Sequence, residues 1–239
     1  AFLFQKESDS FSIEDLEQTL LRINLVGSTI NQALTAERLR RADQLIQREV
    51  DLIADIQHAL LPEAMPLIPG LEIAASYATY DRAGGDYYDF LPLGRSPAGH
   101  VEAWGPWMFI IADASGHGPS AAVVTAMLHA ILHTWVWKDM RPDMILEFLN
   151  TKLFHRRIGN SFVTAFVAVY DPATRKLQYA NAGHPPPIIK GTHDGAVLAF
   201  LDDVGGRPLG ITSEVGTEVG TVELAFGQTL VLYTDGIVD

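Results

Sequence analysis

Three aspartates recur in one setting, each next to or close to glycine and on or near a run of β-branched and aromatic residues. They are Asp86 in RAGGDYYDF (82–90), Asp113 in WMFIIADASGHG (107–118) and Asp235 in TLVLYTDGIVD (229–239). In the second and third, the apolar run reads as a buried strand. The acid then emerges at the strand end, where glycines permit a tight turn. Each aspartate alone also reads as a turn or helix-cap residue. Together they form an oxygen-only anionic set of the kind hard divalent cations take, and without a cation they would repel one another. Mg²⁺ or Mn²⁺ is the natural occupant. Asp89 lies three residues beyond Asp86. It reads either as a second site carboxylate or as the polar end of a buried strand, and local sequence leaves both open. The Gly84-Gly85 pair lets the backbone there approach another group closely.

Other chemistries are less well supported. His117 in SGHGPS and His184 in NAGHPPP each lack the spaced second histidine of a zinc motif, and read as loop-positioning residues. Ser115 stands between Asp113 and His117, but sequence neighbours rarely reach triad geometry, and no G-x-S-x-G elbow is present. GHGPSAA could be a phosphate-binding turn at a helix start, yet it lacks the P-loop lysine. With no cysteine among 239 residues, thiolate nucleophiles, disulfides and cysteine-ligated metals are excluded. A net charge of −12 argues against a nucleic-acid partner. The apolar stretch Ala121–Trp137 contains Thr125, His129, His133 and Thr134 and reads as a buried helix rather than a membrane span. A cytoplasmic setting is expected.

The elements that must position the acids follow from periodicity. Residues 11–61 are almost free of glycine and proline, with helical stripes Leu16, Leu20, Ile23, Ile30, Leu34 and then Leu39, Ala42, Ile46, Ile53, Ile56, Leu60. The second stripe follows a heptad, while the step from Leu34 to Leu39 argues against one continuous coiled coil. Either a pair of amphipathic helices packed on its own domain or a dimer-forming linker is expected. Ser12 and Asp15 begin the region as a capping box. Pro62, Pro66 and Pro69 end it. Beyond them, strands are expected at 71–79, 107–112, 162–170, 176–181, 196–201, 219–225 and 229–234, with helices at 118–137 and 142–156. That order predicts an α+β fold.

GGDYYDF, DASGHGPSAA, NAGHPPP and LYTDGIVD, in this order and at these spacings, resemble the bacterial branch of the metal-dependent type 2C (PPM) serine/threonine phosphatases. This branch holds the sporulation stage II E phosphatase and the stress regulators of partner switching. The resemblance covers residues 62–239 and implies an antiparallel β-sandwich flanked by helices, with two Mn²⁺ or Mg²⁺ ions at one end. By motif it implies Asp86, Asp113 and Asp235 as metal aspartates and the Ala114 backbone carbonyl as a further ligand. Asp89 would act through water, in a second shell. The family usually adds an aspartate from a late D-D-x-T-like segment, which this sequence does not contain up to Asp239, so the C-terminal end of the domain is expected to be lacking. Residues 1–35 are similar to the last strand and closing helix of a GAF sensor domain, which makes 36–61 a helical, coiled-coil linker.

The resemblance implies a phosphoserine/phosphothreonine protein phosphatase that uses metal-activated water and no covalent protein nucleophile. Its partner would be a phosphorylated STAS-domain anti-sigma-factor antagonist (an anti-anti-sigma protein), and the chain would form a homodimer through its N-terminal helices. Arg82 is a candidate phosphate contact. The rival from another class is a catalytically silent interaction module with an incomplete metal site. A diguanylate cyclase reading, from GGD alone, leaves DASGHG and TDG without a place.

Overall fold

In the computed structural model of the chain, residues 12–79, 83–94, 101–102, 104–134, 140–156, 161–192 and 196–237 are described. The chain divides into two units, Ala1–Glu49 and Val50–Asp239. Helix α1 runs unbroken from Ile13 to Leu60 and contributes to both. Its start is the expected capping box: the Asp15 amide donates to Ser12 Oγ at 3.1 Å, and the Ser12 amide donates to Asp15 Oδ2 at 3.2 Å. A pair of helices is not what forms. The step between Leu34 and Leu39 rotates the apolar stripe, but the intervening residues are compatible with helix and the backbone continues. In the first unit Leu16, Leu20, Ile30, Leu34, Leu39 and Ile46 are all exposed.

In the second unit the end of α1 carries a stripe of Val50, Ile53, Ala54, Gln57, Leu60 and Leu61 that is wholly or partly buried. Two sheets follow. The larger comprises β1 (Asp86–Pro92), β2 (Trp107–Ala114), β3 (Val163–Asp171), β4 (Lys176–Ala182) and β7 (Gly220–Glu223), antiparallel throughout in the order β1-β2-β3-β4-β7. The smaller comprises β6 (Val197–Phe200), β5 (Ile188–Lys190) and β8 (Thr229–Val231) in that order, also antiparallel. Helices α2 (Pro119–Thr134) and α3 (Pro142–Arg156) complete the unit.

The two-residue period of the strands sorts their side chains into two cores. One face sends Tyr87, Leu91, Met108, Ile110, Ala112, Ala165, Val167 and Ala180 into a core shared with Val124, Leu128 and Leu132 of α2 and Ile145, Leu146 and Leu149 of α3. The other sends Phe109, Phe166, Tyr170, Leu177 and Tyr179 against Ile189 and Leu230 of the smaller sheet. The architecture is therefore the expected α+β arrangement, an antiparallel sandwich with helices over one sheet.

Two expectations change. Residues 71–79 form no strand, although Leu71 and Ile73 are part-buried against the second core and their neighbours are exposed. Alternating burial reports a covered side, whereas a strand also needs a backbone partner, and this segment has no ladder among the described residues. Residues 86–92, met first as an acidic motif, form β1 at the edge of the larger sheet. Of the helix expected at 118–137, residues 135–137 lie outside the described set. No described helix is long and apolar enough to cross a membrane.

Candidate metal centre

The register of β1 against β2 brings the first two acids together, because Asp86 sits directly opposite Asp113. Opposed residues of neighbouring strands share a face, and here it is the face turned toward the smaller sheet. Asp235 arrives from that sheet, in a short 3₁₀ turn (Asp235–Ile237) just beyond β8. The preceding residue ties the two together: Thr234 Oγ1 donates to Asp86 Oδ2 at 3.0 Å. Three acids separated by 27 and 122 positions in the sequence thus meet at one end of the sandwich.

The loop before Asp86 is held from several sides. The Ala114 amide donates to Gly85 O at 2.9 Å, and the Gly118 amide donates to Ala83 O at 3.2 Å. Gln57, buried near the end of α1, brackets Gly84 completely. Its Nε2 donates to Gly84 O at 2.7 Å and its Oε1 accepts from Gly84 N at 3.1 Å. The same Nε2 lies 3.3 Å from Thr125 Oγ1 on α2. Ala54, Ala83 and Ala122 pack beside this clamp with Ile53. The Tyr77 hydroxyl donates to the Asp86 backbone carbonyl at 3.4 Å.

The electrostatics fit a cation site. Burial is the largest influence on Asp113, followed by the charges of Asp86 and Asp235, and together they push its carboxyl up to about 7. Burial also raises Asp86, with the Thr234 hydrogen bond opposing and Asp235 adding to the rise. Half-buried carboxylates raised by burial and by the charge of neighbouring acids are an unfavourable set which bound positive charge would relieve. The donors are carboxylate oxygens with the Ala114 carbonyl adjacent, the hard set suited to Mg²⁺ or Mn²⁺. A stability consequence follows. A carboxyl raised in the folded chain contributes stability below its usual range and loses it as pH rises toward about 7. In chelator, denaturant titration is expected to show Asp113→Asn gaining stability relative to the unaltered chain as pH rises from about 4 to about 7. Parallel curves would contradict the coupling.

Asp89 belongs elsewhere. Being three residues from Asp86, it occupies the opposite face of β1 with Tyr87 and Leu91, under α2. It is buried there, accepting from the Tyr87 hydroxyl at 2.6 Å and from the Phe90 amide at 2.7 Å, with His133 Nε2 also at 2.6 Å. A water-mediated role beside the aspartate centre is therefore replaced by a role between strand and helix. Arg82 lies outside the described residues. His184 is a structural residue: Asn181 bonds both its amide and its carbonyl, and its Nδ1 lies 2.9 Å from Thr164 Oγ1. Ser115 Oγ accepts from the Phe162 amide at 2.9 Å, which fits a loop role rather than a nucleophile. Gln57, Tyr77 and Thr234 went unrecognised in the sequence because nothing local marks a glutamine in a helical stripe as a clamp. Among the described residues, the acid and histidine side chains whose ligand atoms all fall within 4.8 Å of one another are Asp89, His129 and His133, not the three aspartates.

Comparison with known proteins agrees with this architecture. The model of the Stage II sporulation protein E (SpoIIE) family matches residues 104–239. The Bacillus subtilis phosphoserine phosphatase RsbU is 27% identical over 204 residues, covering 85% of this chain and 57% of that protein. The chain spans about half the length of the curated relatives it matches. Among solved structures, the RsbU and RsbW domains of a Mycobacterium tuberculosis protein superpose with a TM-score of 0.53 at 27% identity, over 72% of this chain and 42% of that one. The PP2C domain of SiaA from Pseudomonas aeruginosa gives 0.58 at 21% identity, over 83% and 75%. The matched segment contains Asp113, Ala114 and Asp235 and more than half of the residues, and the chain belongs to the SpoIIE family.

Proposed function

We propose that this chain is a metal-dependent protein serine/threonine phosphatase that removes phosphate from phosphoserine or phosphothreonine on a regulatory protein, a STAS-fold anti-sigma-factor antagonist. The observation that carries this reading is the meeting of Asp86, Asp113 and Asp235, with Asp86 opposite Asp113 in register and bonded to the residue before Asp235. The names of the relatives, RsbU and RsbP among them, support the reaction class.

Divalent cations held at this centre, Mn²⁺ or Mg²⁺, would supply Lewis-acid charge and the means to activate water. The chain's own contribution is positional and electrostatic. Asp86, Asp113, Asp235 and the Ala114 carbonyl are the groups that would hold the ions. Thr234 fixes one oxygen of Asp86. Gly85 keeps space open beside Asp113, and Gln57 holds the Gly84 peptide so that the loop keeps its shape. The test is phosphate release from a phosphorylated STAS-domain protein with and without Mn²⁺; equal rates in chelator would overturn the reading.

The domain assignment we favour is residues 1–35 as the end of a GAF sensor, 36–61 as a linker and 62–239 as the phosphatase domain. Exposed Leu39 and Ile46 on α1 support a homodimeric helical linker. Ile53, next in the heptad, is instead part-buried beside Ala54, Ala83 and Ala122. Ile46→Asp is therefore the cleaner probe. It is expected to weaken self-association at least tenfold, on the order of the 1.4 kcal/mol that one tenfold step represents. Light scattering that finds an unchanged dimer would exclude this seam.

A further inference from the structure

On the other face of β1 a second constellation has no part in the aspartate centre. His129 and His133 stand one turn apart on α2, so both rings leave the same side of the helix. Their centroids are 4.1 Å apart with planes inclined by 30°. Both are directed at one carboxylate oxygen: His133 Nε2 is 2.6 Å and His129 Nδ1 4.0 Å from Asp89 Oδ2. Asp89 is buried, and among the described residues its ion-pair partners are these two histidines. A buried carboxylate wants positive charge. Two stacked imidazoles supply it poorly, because the neighbouring His133 works against a charge on His129.

We propose that Asp89, His129 and His133 form a metal site distinct from the aspartate centre, which takes one zinc-class divalent cation and ties β1 to α2. The donor set is two imidazoles and one carboxylate, which suits Zn²⁺ and its neighbours better than Mg²⁺ or Ca²⁺. All three ligand atoms already lie within 4.8 Å of one another. The surroundings are those of a ligating histidine. His129 also bonds to the Leu60 backbone, which commits one ring nitrogen and leaves Nδ1 toward the carboxylate. The Tyr87 hydroxyl, buried under α2, holds the same two atoms in the metal-free chain, at 2.6 Å from Asp89 Oδ2 and 3.1 Å from His129 Nδ1, and would yield Nδ1 to the ion. Burial, then the neighbouring His133, hold His129 below the usual imidazole range, which favours the neutral ring that ligates metal. His133 is 45% exposed, so an ion has an entry path from solvent. Cation uptake would displace the proton shared by Asp89 and His133 and replace a hydrogen bond with a bridge between helix and strand. The strand so tethered begins at Asp86.

The experiment uses the full chain carrying Asp113→Asn, which weakens the aspartate centre and removes phosphatase activity from the readout. It is titrated with Co²⁺, as a spectroscopic stand-in for zinc, and with Zn²⁺. We expect one equivalent of cobalt to give the intense absorption of a tetrahedral site. His133→Gln and His129→Gln should each weaken uptake by more than about 100-fold, beyond the cost of losing an outer-shell partner. Zn²⁺ should raise the melting temperature of the parent chain and leave that of His133→Gln unchanged. His133 is exposed enough for glutamine to be accommodated; if His129→Gln fails to fold, Asp89→Asn provides the second ligand deletion. Cobalt affinity and spectrum unchanged by His133→Gln, or a weak octahedral spectrum in the parent, would overturn the proposal. Because no readout involves phosphate release, failure here leaves the phosphatase reading standing, and the reverse also holds.

Discussion

Asp113→Asn is expected to lower manganese-dependent phosphate release by about 100- to 1,000-fold while leaving the fold intact. Asparagine keeps the shape of the side chain and removes its charge, and Asp113 sits at the end of a central strand paired on both sides, opposite Asp86 and Thr164. Lewis-acid stabilisation of phosphoryl transfer is worth several kcal/mol, and losing about 3–4 kcal/mol gives that range of rates. A fold-based explanation makes the opposite stability prediction. If Asp113 were structural, its loss would destabilise the chain, whereas burial and the charges of Asp86 and Asp235 disfavour its ionised form. The metal-free variant should therefore be at least as stable as the parent at alkaline pH while failing in catalysis. Unchanged turnover in Asp113→Asn would sink the assignment of the aspartate centre.

Gly85→Ala is expected to be nearly as damaging to activity, for a steric reason. A Cβ at Gly85 would stand 2.6 Å from Asp113 Oδ1 and closer still to the Ala114 carbonyl oxygen. The second of these cannot yield cheaply. The carbonyl is backbone, and the Ala114 amide is bonded to Gly85 O in the same contact. Relief must therefore move β1 away from β2 where Asp86 faces Asp113. Overpacking of this kind costs roughly 1–3 kcal/mol of stability. The larger effect should be on metal affinity, because the shift displaces Asp113, the Ala114 carbonyl and Asp86 together. At Gly84 the nearest obstacle is the Thr79 Cγ2 methyl, 2.9 Å away on a side chain that can turn. Gly84→Ala should thus retain more activity than Gly85→Ala. Metal titration and thermal melting of the pair check this ranking, and equal behaviour of the two variants would refute the steric argument.

Much of the architecture was legible because it depends on local periodicity. Helices α2 and α3 and strands β2, β3 and β4 follow from runs whose apolar spacing matches the face they bury. The capping box at Ser12 and Asp15 is readable for the same reason, since its partners are three residues apart. Segment 71–79 misled because alternating burial without a hydrogen-bonded neighbour looks the same in sequence as a strand. The acids of the candidate centre were recognisable as a type, namely aspartate with nearby glycine on or after an apolar run. The His129 and His133 pair offered a signal that could have been used: two histidines at i and i+4 on one helix. Their third partner, Asp89, lies 40 residues upstream on a strand.

The sequence by itself therefore determined the kind of chemistry and the elements that carry it, because residue type and short spacing act through neighbouring atoms. It specified hard oxygen donors, no thiols, and strands that run into acids. Which acids meet was decided only in the folded chain. Asp86 and Asp89 are alike in type and three residues apart, yet the alternation of a strand sends one toward the smaller sheet and the other under α2. The register between β1 and β2 then selects Asp113 as the partner of the first, and the packing of α2 selects His133 as the partner of the second. Register and packing depend on contacts between segments far apart in the chain, and no local pattern of residues encodes them.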